Sequence, residues 1–197
     1  MRRKPLVAVI GPSGSGKSSL VFAGLFPRLY QEGNWYIASF RPRDRPFRAL
    51  AATLIPLLEN QMSETDLLVQ IKKLAEPLQQ RELALYDVVE RIIQKHRAAR
   101  LLLFIDQFEE LYTLCRIAED RQCFLDILLE AVQAASQQQT LNFTLVLTLR
   151  ADFFGQVLLY RPFADALQNA DLKLSSMNRQ ELQDTIKNRQ GKERGGI

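Results

Sequence analysis

Short apolar runs alternate along this chain with longer segments of helical periodicity. The runs expected to form strands are LVAVI (6–10), WYIASF (35–40), LLLFID (101–106), NFTLVLTLR (142–150) and DLKLSS (171–176). An unbroken apolar run such as residues 6–10 is typical of a parallel strand that is buried on both faces. Alternating strands and helices predict βαβ units, and therefore an α/β fold in which helices cover both faces of a mostly parallel, five-stranded sheet.

Helical spacing of apolar residues fills most of the segments between these strands. The expected helices cover residues 17–30, 47–59, 86–95, 108–115, 119–137, 153–159 and 178–189, and a further helix is expected to begin near Ser63. The prolines and charges of RPRDRP (41–46) predict a loop. Pro162 is expected to mark the end of the helix that precedes it.

The first predicted strand leads into a segment rich in glycine and serine. Residues 11–19 read GPSGSGKSS, which fits the pattern G-x-x-x-x-G-K-[ST]. Such a loop turns its backbone N–H groups toward an anion at a helix N-terminus. Lys17 is expected to contact the β- and γ-phosphates, and the Ser18 hydroxyl to bind Mg²⁺. The candidate nucleotide-binding residues are the nine of this loop: Gly11, Pro12, Ser13, Gly14, Ser15, Gly16, Lys17, Ser18 and Ser19.

A second candidate group follows the predicted strand at 101–106, in the segment LLLFIDQFEEL. An aspartate that ends a buried strand is costly unless a cation or strong donors meet it, so Asp106 is the predicted Mg²⁺ ligand. Glu109 and Glu110 follow within about one helical turn, and either carboxylate could orient and deprotonate an attacking water. The alternative is that both are solvated residues favoured at a helix start.

The third candidate is Arg150, which closes the predicted strand at 142–150 within TLRADFF. A guanidinium there could stabilise charge on a departing phosphoryl group, and the alternative is an ion pair with a nearby acid such as Asp152. Four further arginines follow the second predicted strand: Arg41, Arg43, Arg45 and Arg48. We interpret these four as part of a solvated loop, with a contact to phosphate or nucleic acid as the alternative.

Composition narrows the classes of protein and partner. With 197 residues, of which 47% are hydrophobic and 24% charged, the chain fits one globular domain rather than a disordered segment. The net charge of +4 comes from the two ends, since residues 5–186 sum to −2, which argues against nucleic acid as a partner. No apolar run approaches the roughly 20 residues that span a bilayer, so no membrane partner is expected.

The cysteine and histidine content argues against a fold that depends on disulfide bonds or on a structural metal. The chain has two cysteines and one histidine, too few for a disulfide framework or for a structural zinc site with its four ligands. No structural metal is therefore expected. Free thiols are typical of a reducing compartment, and the expected location is the cytoplasm.

These segments, taken in order, resemble a known family. GPSGSGKSSLVFAGLFPRL, FRPRDRPFRALA, LLLFIDQFEELYTL, TLRADFF and LSSMNRQEL are similar to the corresponding segments of STAND-class P-loop NTPases, most of all the novel STAND branch of bacterial multidomain signalling proteins. The resemblance covers residues from about 5 to 186. It implies a P-loop NTPase fold, a three-layer α/β/α sandwich, with ATP and Mg²⁺ as cofactors and slow hydrolysis.

The resemblance also implies roles and partners. The phosphate loop maps onto residues 11–19, the Mg²⁺ aspartate onto Asp106, the acidic pair onto Glu109 and Glu110, and the sensor arginine onto Arg150. Nucleotide state is expected to switch the conformation and to drive assembly with protein partners or further copies of the chain. Members of this class are longer, so the expected organisation is a core at residues 1–186, with a fragment of a larger module as the alternative, followed by a basic, disordered tail at 187–197.

Other functions remain open at the level of sequence. The first alternative is a nucleotide-binding interaction module, or truncated remnant, that does not hydrolyse. The second is a small-molecule kinase, for which no convincing lid segment is evident. GTP is disfavoured because the sequence contains no N-K-x-D motif. A DNA-linked ATPase is supported only by the arginine loop and the basic ends.

Overall fold

Five parallel strands form the centre of the structure, a computed structural model that describes residues 5–59, 61–96, 100–137, 142–168 and 170–175. The strands are β1 (Leu6–Gly11), β2 (Trp35–Phe40), β3 (Arg100–Ile105), β4 (Phe143–Arg150) and β5 (Asp171–Lys173). They lie in the order β2-β3-β4-β1-β5, and each adjacent pair is parallel. The prediction of a five-stranded, mostly parallel sheet is confirmed.

Eight helices accompany the sheet within the described ranges. Helix α1 consists of three consecutive segments, Lys17–Ser19, Leu20–Leu25 and Phe26–Glu32, of which the middle one has π-helical geometry. The others are α2 (Pro46–Leu58), α3 (Glu64–Gln79), α4 (Leu85–His96), α5 (Glu110–Thr113), α6 (Ala118–Gln137), α7 (Phe154–Leu158, after a 3₁₀ turn at Ala151–Phe153) and α8 (Arg161–Leu167).

The strand order explains why distant segments of the sequence meet. The chain leaves β1, crosses to β2 at the far edge, and returns through β3 and β4, so that β4 lies between β3 and β1. Gly11 at the end of β1 is paired in register with Arg150 at the end of β4. Asp106 comes directly after β3 at the same edge. Ligands of open parallel sheets bind at this carboxyl edge, near the point where the strand order reverses.

Two apolar layers cover the two faces of the sheet. The larger layer packs residues such as Leu103 and Leu147 of the central strands against α2, α3, α4 and α6. On the other face, α1 packs on Phe104, whose ring meets Phe22 and Phe26 edge-to-face with centroids 5.3 and 5.5 Å apart. Because helices lie on both faces of one sheet, the three-layer α/β/α prediction is confirmed.

Most of the predicted helix positions agree with the structure, and the differences have local causes. Ser63 caps α3, because its Oγ accepts a hydrogen bond from the Asp66 backbone N at 3.1 Å. The helix expected at 108–115 is shorter, and α8 was not predicted. Pro162 lies in the first turn of α8, where the N–H that proline lacks has no intrahelical partner to lose.

Three sequence predictions fall outside the described residues: the helix at 178–189, the end of the core at residue 186 and the tail at 187–197. Within the described ranges, no helix combines the length and the hydropathy needed to cross a membrane.

Candidate functional site

Glycines shape the loop that joins β1 to α1. Gly14 and Gly16 have φ angles of 76° and 80°, in the left-handed region that glycine adopts without strain. Gly11 is required for space, since a Cβ there would lie 2.7 Å from Ser15 Oγ and 2.8 Å from the carbonyl oxygen of Leu174. The local sequence therefore folds into a tight cradle at the N-terminus of α1, as the motif predicts.

Lys17 is held against this cradle. Its side chain is only 9% exposed, and Nζ donates to the carbonyl oxygens of Gly11 (2.9 Å) and Pro12 (2.7 Å). Burial lowers the pKa of Lys17, while the nearby carboxylate of Glu109 acts in the opposite direction. The neighbouring Ser15 Oγ is buried without a hydrogen-bond partner among the described residues. A buried cation and an unpartnered hydroxyl favour an anionic ligand at this loop.

The Asp106 carboxylate joins the loop to the centre of the sheet. Asp106 is 2% exposed, and its Oδ1 accepts hydrogen bonds from Ser18 Oγ at 2.6 Å and from Thr148 Oγ1 at 2.8 Å. Its Oδ2 faces Arg41, with Nε at 3.2 Å and Nη2 at 3.1 Å. The two predicted metal ligands, Ser18 and Asp106, are therefore in direct contact although they are 88 residues apart in sequence.

The donor atoms fit a magnesium ion. Mg²⁺ prefers oxygen ligands and is usually bound by one or two carboxylates together with phosphate oxygens. The Ser18 hydroxyl and the Asp106 carboxylate supply such oxygens beside the phosphate loop. These two residues could hold the ion between the protein and a bound nucleotide.

The two acidic residues of the predicted pair lie in different surroundings. Glu109 is 9% exposed and borders the cleft, and its Oε2 accepts a hydrogen bond from the backbone N of Arg150 at 3.2 Å. Glu110 points to the loop after β2, where its Oε2 accepts from the backbone N of Arg43 at 3.1 Å. Its Oε1 lies 3.0 Å from the side-chain nitrogen of Gln107, oriented to satisfy both of its neighbours. Geometry thus distinguishes two glutamates that the sequence left equivalent.

Arg150 borders the cleft but pairs with a neighbour. Its Nη2 lies 2.6 Å from Asp152 Oδ2, its Nε donates to Asp152 Oδ1 at 3.1 Å, and the guanidinium lies 5.3 Å from the ring centroid of Phe153. The hydrogen bond between the two raises the pKa of Arg150 and lowers that of Asp152. The ion pair considered as an alternative is therefore present in the structure.

These elements enclose a cleft of about 280 Å³ at the carboxyl edge of the sheet. The residues that line it are Ser13, Gly14, Gly16, Lys17, Ser18, Ser19, Gln107, Glu109, Thr148 and Arg150. Of the other predicted site residues, Asp106 contacts the lining through Ser18 and Thr148, Glu110 contacts the loop after β2, and Gly11, Pro12 and Ser15 belong to the loop without lining the cleft.

Sequence reasoning missed Thr148, and its assignment of Arg41 to a solvated loop was wrong because Arg41 pairs with the buried Asp106; each residue had a usable signal. Thr148 is 1% exposed, which makes it a buried polar residue within the mostly apolar β4. Arg41 follows the last residue of β2 directly, at the same edge as Asp106 and Arg150. The reasoning that selected a charged residue after a buried strand at those two positions applies equally to Arg41.

Known structures share the fold of this chain at low sequence identity. The ORC2 protein of Aeropyrum pernix, solved as ADPNP-ADP complexes, matches with a TM-score of 0.61 and 14% identity over 94% of this chain and 46% of its own. Cdc6p from Pyrobaculum aerophilum matches with a TM-score of 0.56 and 15% identity over 94% of this chain and 42% of its own.

A chain of the E. coli MS115-1 HORMA:CdnC:Trip13 complex matches with a TM-score of 0.52 and 16% identity, over 91% of this chain and 51% of its own. The chain thus spans about half the length of these proteins.

No curated protein matches the chain. A family model does, that of novel STAND NTPase 1, and it covers residues 1–193. This agrees with the order of motifs along the sequence and with a P-loop at the edge of a parallel sheet. Because the match spans nearly the whole chain, the protein belongs to the novel STAND NTPase 1 family and has the P-loop NTPase fold.

Proposed function

We propose that this protein binds ATP with Mg²⁺, hydrolyses it slowly, and uses the nucleotide state as a conformational switch in bacterial signal transduction in the cytoplasm. The observation that carries the proposal is the contact between Ser18 and Asp106 at 2.6 Å, beside a buried Lys17. A hydroxyl, a carboxylate and an ammonium group at one glycine-shaped loop are the set of groups that phosphoryl-transfer sites use. The ADPNP and ADP bound by the ORC2 protein support an adenine nucleotide as the ligand.

The phosphate loop and the residues beside it have distinct parts in this proposal. The loop backbone would surround the phosphates, and Lys17 would exchange its bonds to the loop carbonyls for bonds to phosphate oxygens. Ser18 and Asp106 would hold Mg²⁺, which when bound neutralises negative charge on the phosphates. A buried site with low effective dielectric strengthens all of these interactions.

Glu109 is the better candidate for the general base. It borders the cleft and is fixed by the backbone N–H of Arg150, so its carboxylate could orient and deprotonate a water near the γ-phosphate. Glu110 is engaged by the loop after β2, which supports a positioning role. Arg150 would stabilise charge on the departing phosphoryl group after leaving Asp152.

A non-hydrolysing nucleotide-binding module is the second candidate, and the Arg150–Asp152 ion pair favours it. In that arrangement the guanidinium charge is already satisfied by a neighbouring carboxylate. The same ion pair is consistent with slow turnover in the leading proposal, since it must break before Arg150 acts on phosphate.

The test is Mg²⁺-dependent ATP binding and hydrolysis by the wild type and by Lys17→Ala side by side. Because Lys17 would make charge-assisted bonds to phosphate, we expect an affinity loss of about 100-fold or more in the variant. Lys72→Ala is the matched control, because Lys72 is an exposed lysine that pairs with Glu76 away from the cleft.

Three outcomes separate the candidates. Binding and turnover that are both lost in Lys17→Ala and kept in Lys72→Ala would support the leading proposal. Tight binding without turnover in the wild type would support the non-hydrolysing module. Equal ATP affinity in the wild type and in Lys17→Ala would contradict both.

A further inference from the structure

Arg41 lies on the carboxylate that is proposed to hold the metal ion. The Asp106 backbone N donates to the carbonyl oxygen of Phe40 at 2.9 Å, so the residue after β2 is brought beside the residue after β3. From there the guanidinium of Arg41 places Nε and Nη2 within 3.2 and 3.1 Å of Asp106 Oδ2. A buried carboxylate is stable only when it is paired, and Arg41 supplies the positive charge.

Most of the hydrogen-bonding capacity of Asp106 is used in this arrangement. An ionised carboxylate offers about four acceptor positions. Ser18 and Thr148 occupy two positions on Oδ1, Arg41 Nε occupies one on Oδ2, and Arg41 Nη2 forms an ion pair with the same oxygen at 3.1 Å. The remaining position on Oδ2 lies beside the charged guanidinium, so a Mg²⁺ ion, or a water bound to it, gains access to this carboxylate only when at least one donor moves away.

Differences in burial show which donor leaves. Thr148 is 1% exposed and lies within β4, so it has neither space to move nor water to replace the bond. Ser18 is itself a proposed ligand of the ion. The side chain of Arg41 is 47% exposed and belongs to a loop, so its guanidinium can return to solvent at low cost, and repulsion by a divalent cation favours that movement.

We infer that Arg41 is a metal-competing residue, which neutralises Asp106 in the absence of Mg²⁺-nucleotide and is displaced when Mg²⁺-nucleotide binds. The inference rests on the proposed function, since it requires Mg²⁺-nucleotide to bind at this cleft. It assigns to Arg41 an effect on the Mg²⁺ requirement of nucleotide binding that a solvated loop arginine would not have.

Displacement of Arg41 also acts on the loop at residues 41–45. Arg41 Nη2 lies 3.3 Å from the side-chain oxygen of Gln107, whose nitrogen contacts Glu110, and Glu110 accepts the backbone N–H of Arg43. Arg43 is held at a φ angle of 55°, which costs a non-glycine residue free energy. Loss of the Arg41 contacts weakens this series of bonds, so nucleotide binding is expected to loosen the loop.

The first experiment measures how much Mg²⁺ is needed for half-maximal binding of a fluorescent ATP analogue to the full chain. We compare the wild type, Arg41→Gln and Arg45→Gln. Arg45 is the matched control, because it removes the same charge from the same loop while its side chain pairs only weakly with Asp44, at 3.8 Å. We expect Arg41→Gln to lower the half-maximal Mg²⁺ concentration about three- to tenfold, which is less than a buried hydrogen bond to a charged group would give because Arg41 is half exposed.

The result distinguishes the inference from the proposed function. If the wild type binds the analogue in Mg²⁺ and Arg41→Gln has the same Mg²⁺ midpoint as the wild type, the inference is overturned and the proposed function stands. If Arg45→Gln shifts the midpoint as much as Arg41→Gln does, the effect is general charge and the inference is again overturned. If the wild type binds no analogue with or without Mg²⁺, the proposed function itself fails.

A second measurement needs no variant and so does not depend on the folding of Arg41→Gln. Hydrogen exchange of the peptide that spans residues 41–45 is followed in wild-type protein with a non-hydrolysable ATP analogue, in Mg²⁺ and in EDTA. We expect exchange to be at least about threefold faster in Mg²⁺, because the bonds that protect the Arg43 amide are weakened. Equal or slower exchange in Mg²⁺ would overturn the inference.

Discussion

The cleft has a floor and a rim that carry similar groups in different environments. The floor consists of four side chains that are at most 9% exposed: Lys17, Asp106, Glu109 and Thr148. The rim consists of charged side chains that reach solvent: Arg41, Glu110, Arg150 and Asp152. Thr148 lies within β4, Asp106 comes directly after β3 and Lys17 lies in the phosphate loop, whereas Arg41 and Asp152 belong to a loop and a turn, Glu110 begins α5 and Arg150 ends β4.

Two ion pairs show what this difference means. Arg150 pairs with Asp152, two residues away on the exposed rim, and exposed pairs of this kind contribute little to stability. Arg41 pairs instead with the buried Asp106 of the floor, where an unpaired charge would be costly. The importance of an arginine at this site therefore depends on the burial of its partner, not on its position after a strand.

The largest expected difference between floor and rim is between the two glutamates. Glu109→Gln should lower ATP turnover by about 100-fold or more, since loss of a general base typically costs 10²–10⁴-fold. Glu110→Gln, an identical change one residue away, should keep turnover within about threefold of wild type. Phosphate release in single-turnover reactions measures both, with nucleotide affinity determined in parallel.

Equal losses of ATP turnover in the two glutamate variants would contradict the comparison, because they would show that the burial of Glu109 gives it no special part in catalysis. Wild-type turnover in both variants would contradict hydrolysis through this acidic pair altogether.

The next effect concerns the stability that the floor contributes. Thr148→Val removes the donor to Asp106 Oδ1 and the acceptor of the Gln107 backbone N–H, 2.9 Å away. Leaving buried polar groups without partners should lower the free energy of unfolding by about 1–3 kcal/mol. Thr144→Val is the matched control on the same strand, where the side chain borders an apolar groove, and it should change the free energy by less than about 0.5 kcal/mol.

Denaturant unfolding of the two threonine variants measures this difference. A Thr148→Val variant as stable as Thr144→Val would show that the hydrogen bonds to Asp106 are replaceable, and that the floor is less constrained than its burial indicates.

A smaller effect on the free energy of unfolding is expected at Tyr112, whose hydroxyl is buried but not paired. Tyr112 OH is buried without a hydrogen-bond partner among the described residues, and burial raises its pKa to about 12. Tyr112→Phe removes an unsatisfied polar group, so we expect the free energy of unfolding to stay the same or to rise by up to about 1 kcal/mol. A loss of more than about 1 kcal/mol in the same unfolding assay would show that this hydroxyl does have a stabilising partner.

Apart from Thr148, the sequence predicted the floor residues better than it predicted the contacts of the rim residues, for a physical reason. Buried strands and the phosphate loop are encoded locally, by apolar runs and by fixed glycine positions, so the placement of Lys17, Ser18 and Asp106 at one sheet edge followed from α/β topology. The contacts of Arg41 and Glu110 depend on how two loops far apart in sequence meet. Side-chain choices of that kind have no periodic signal.

The same limit applies to elements of the fold. Pro162 interrupts the apolar pattern in the sequence, but its meaning depends on whether it ends one helix or starts the next. In the structure it lies in the first turn of α8. The strand order was likewise not fixed by the pattern of apolar runs, since several parallel orders bury the same residues.

The smallest expected effect belongs to the rim pair itself. Asp152→Asn breaks the contacts with Arg150, yet both groups are exposed, so the free energy of unfolding at pH 7 should be indistinguishable from that of the wild type. Asp165→Asn is the control, because Asp165 forms a similarly exposed pair with Arg161 away from the cleft. Arg150 lowers the pKa of Asp152 in the folded protein. Any stabilisation by the pair is therefore present above the ordinary aspartate pKa and is lost as the pH falls through the lowered value. The opposite result is that Asp152→Asn lowers the free energy of unfolding clearly more than Asp165→Asn does at pH 7, and that this difference disappears in acid. The rim pair would then stabilise the fold, and burial alone would not explain which ion pairs contribute to stability.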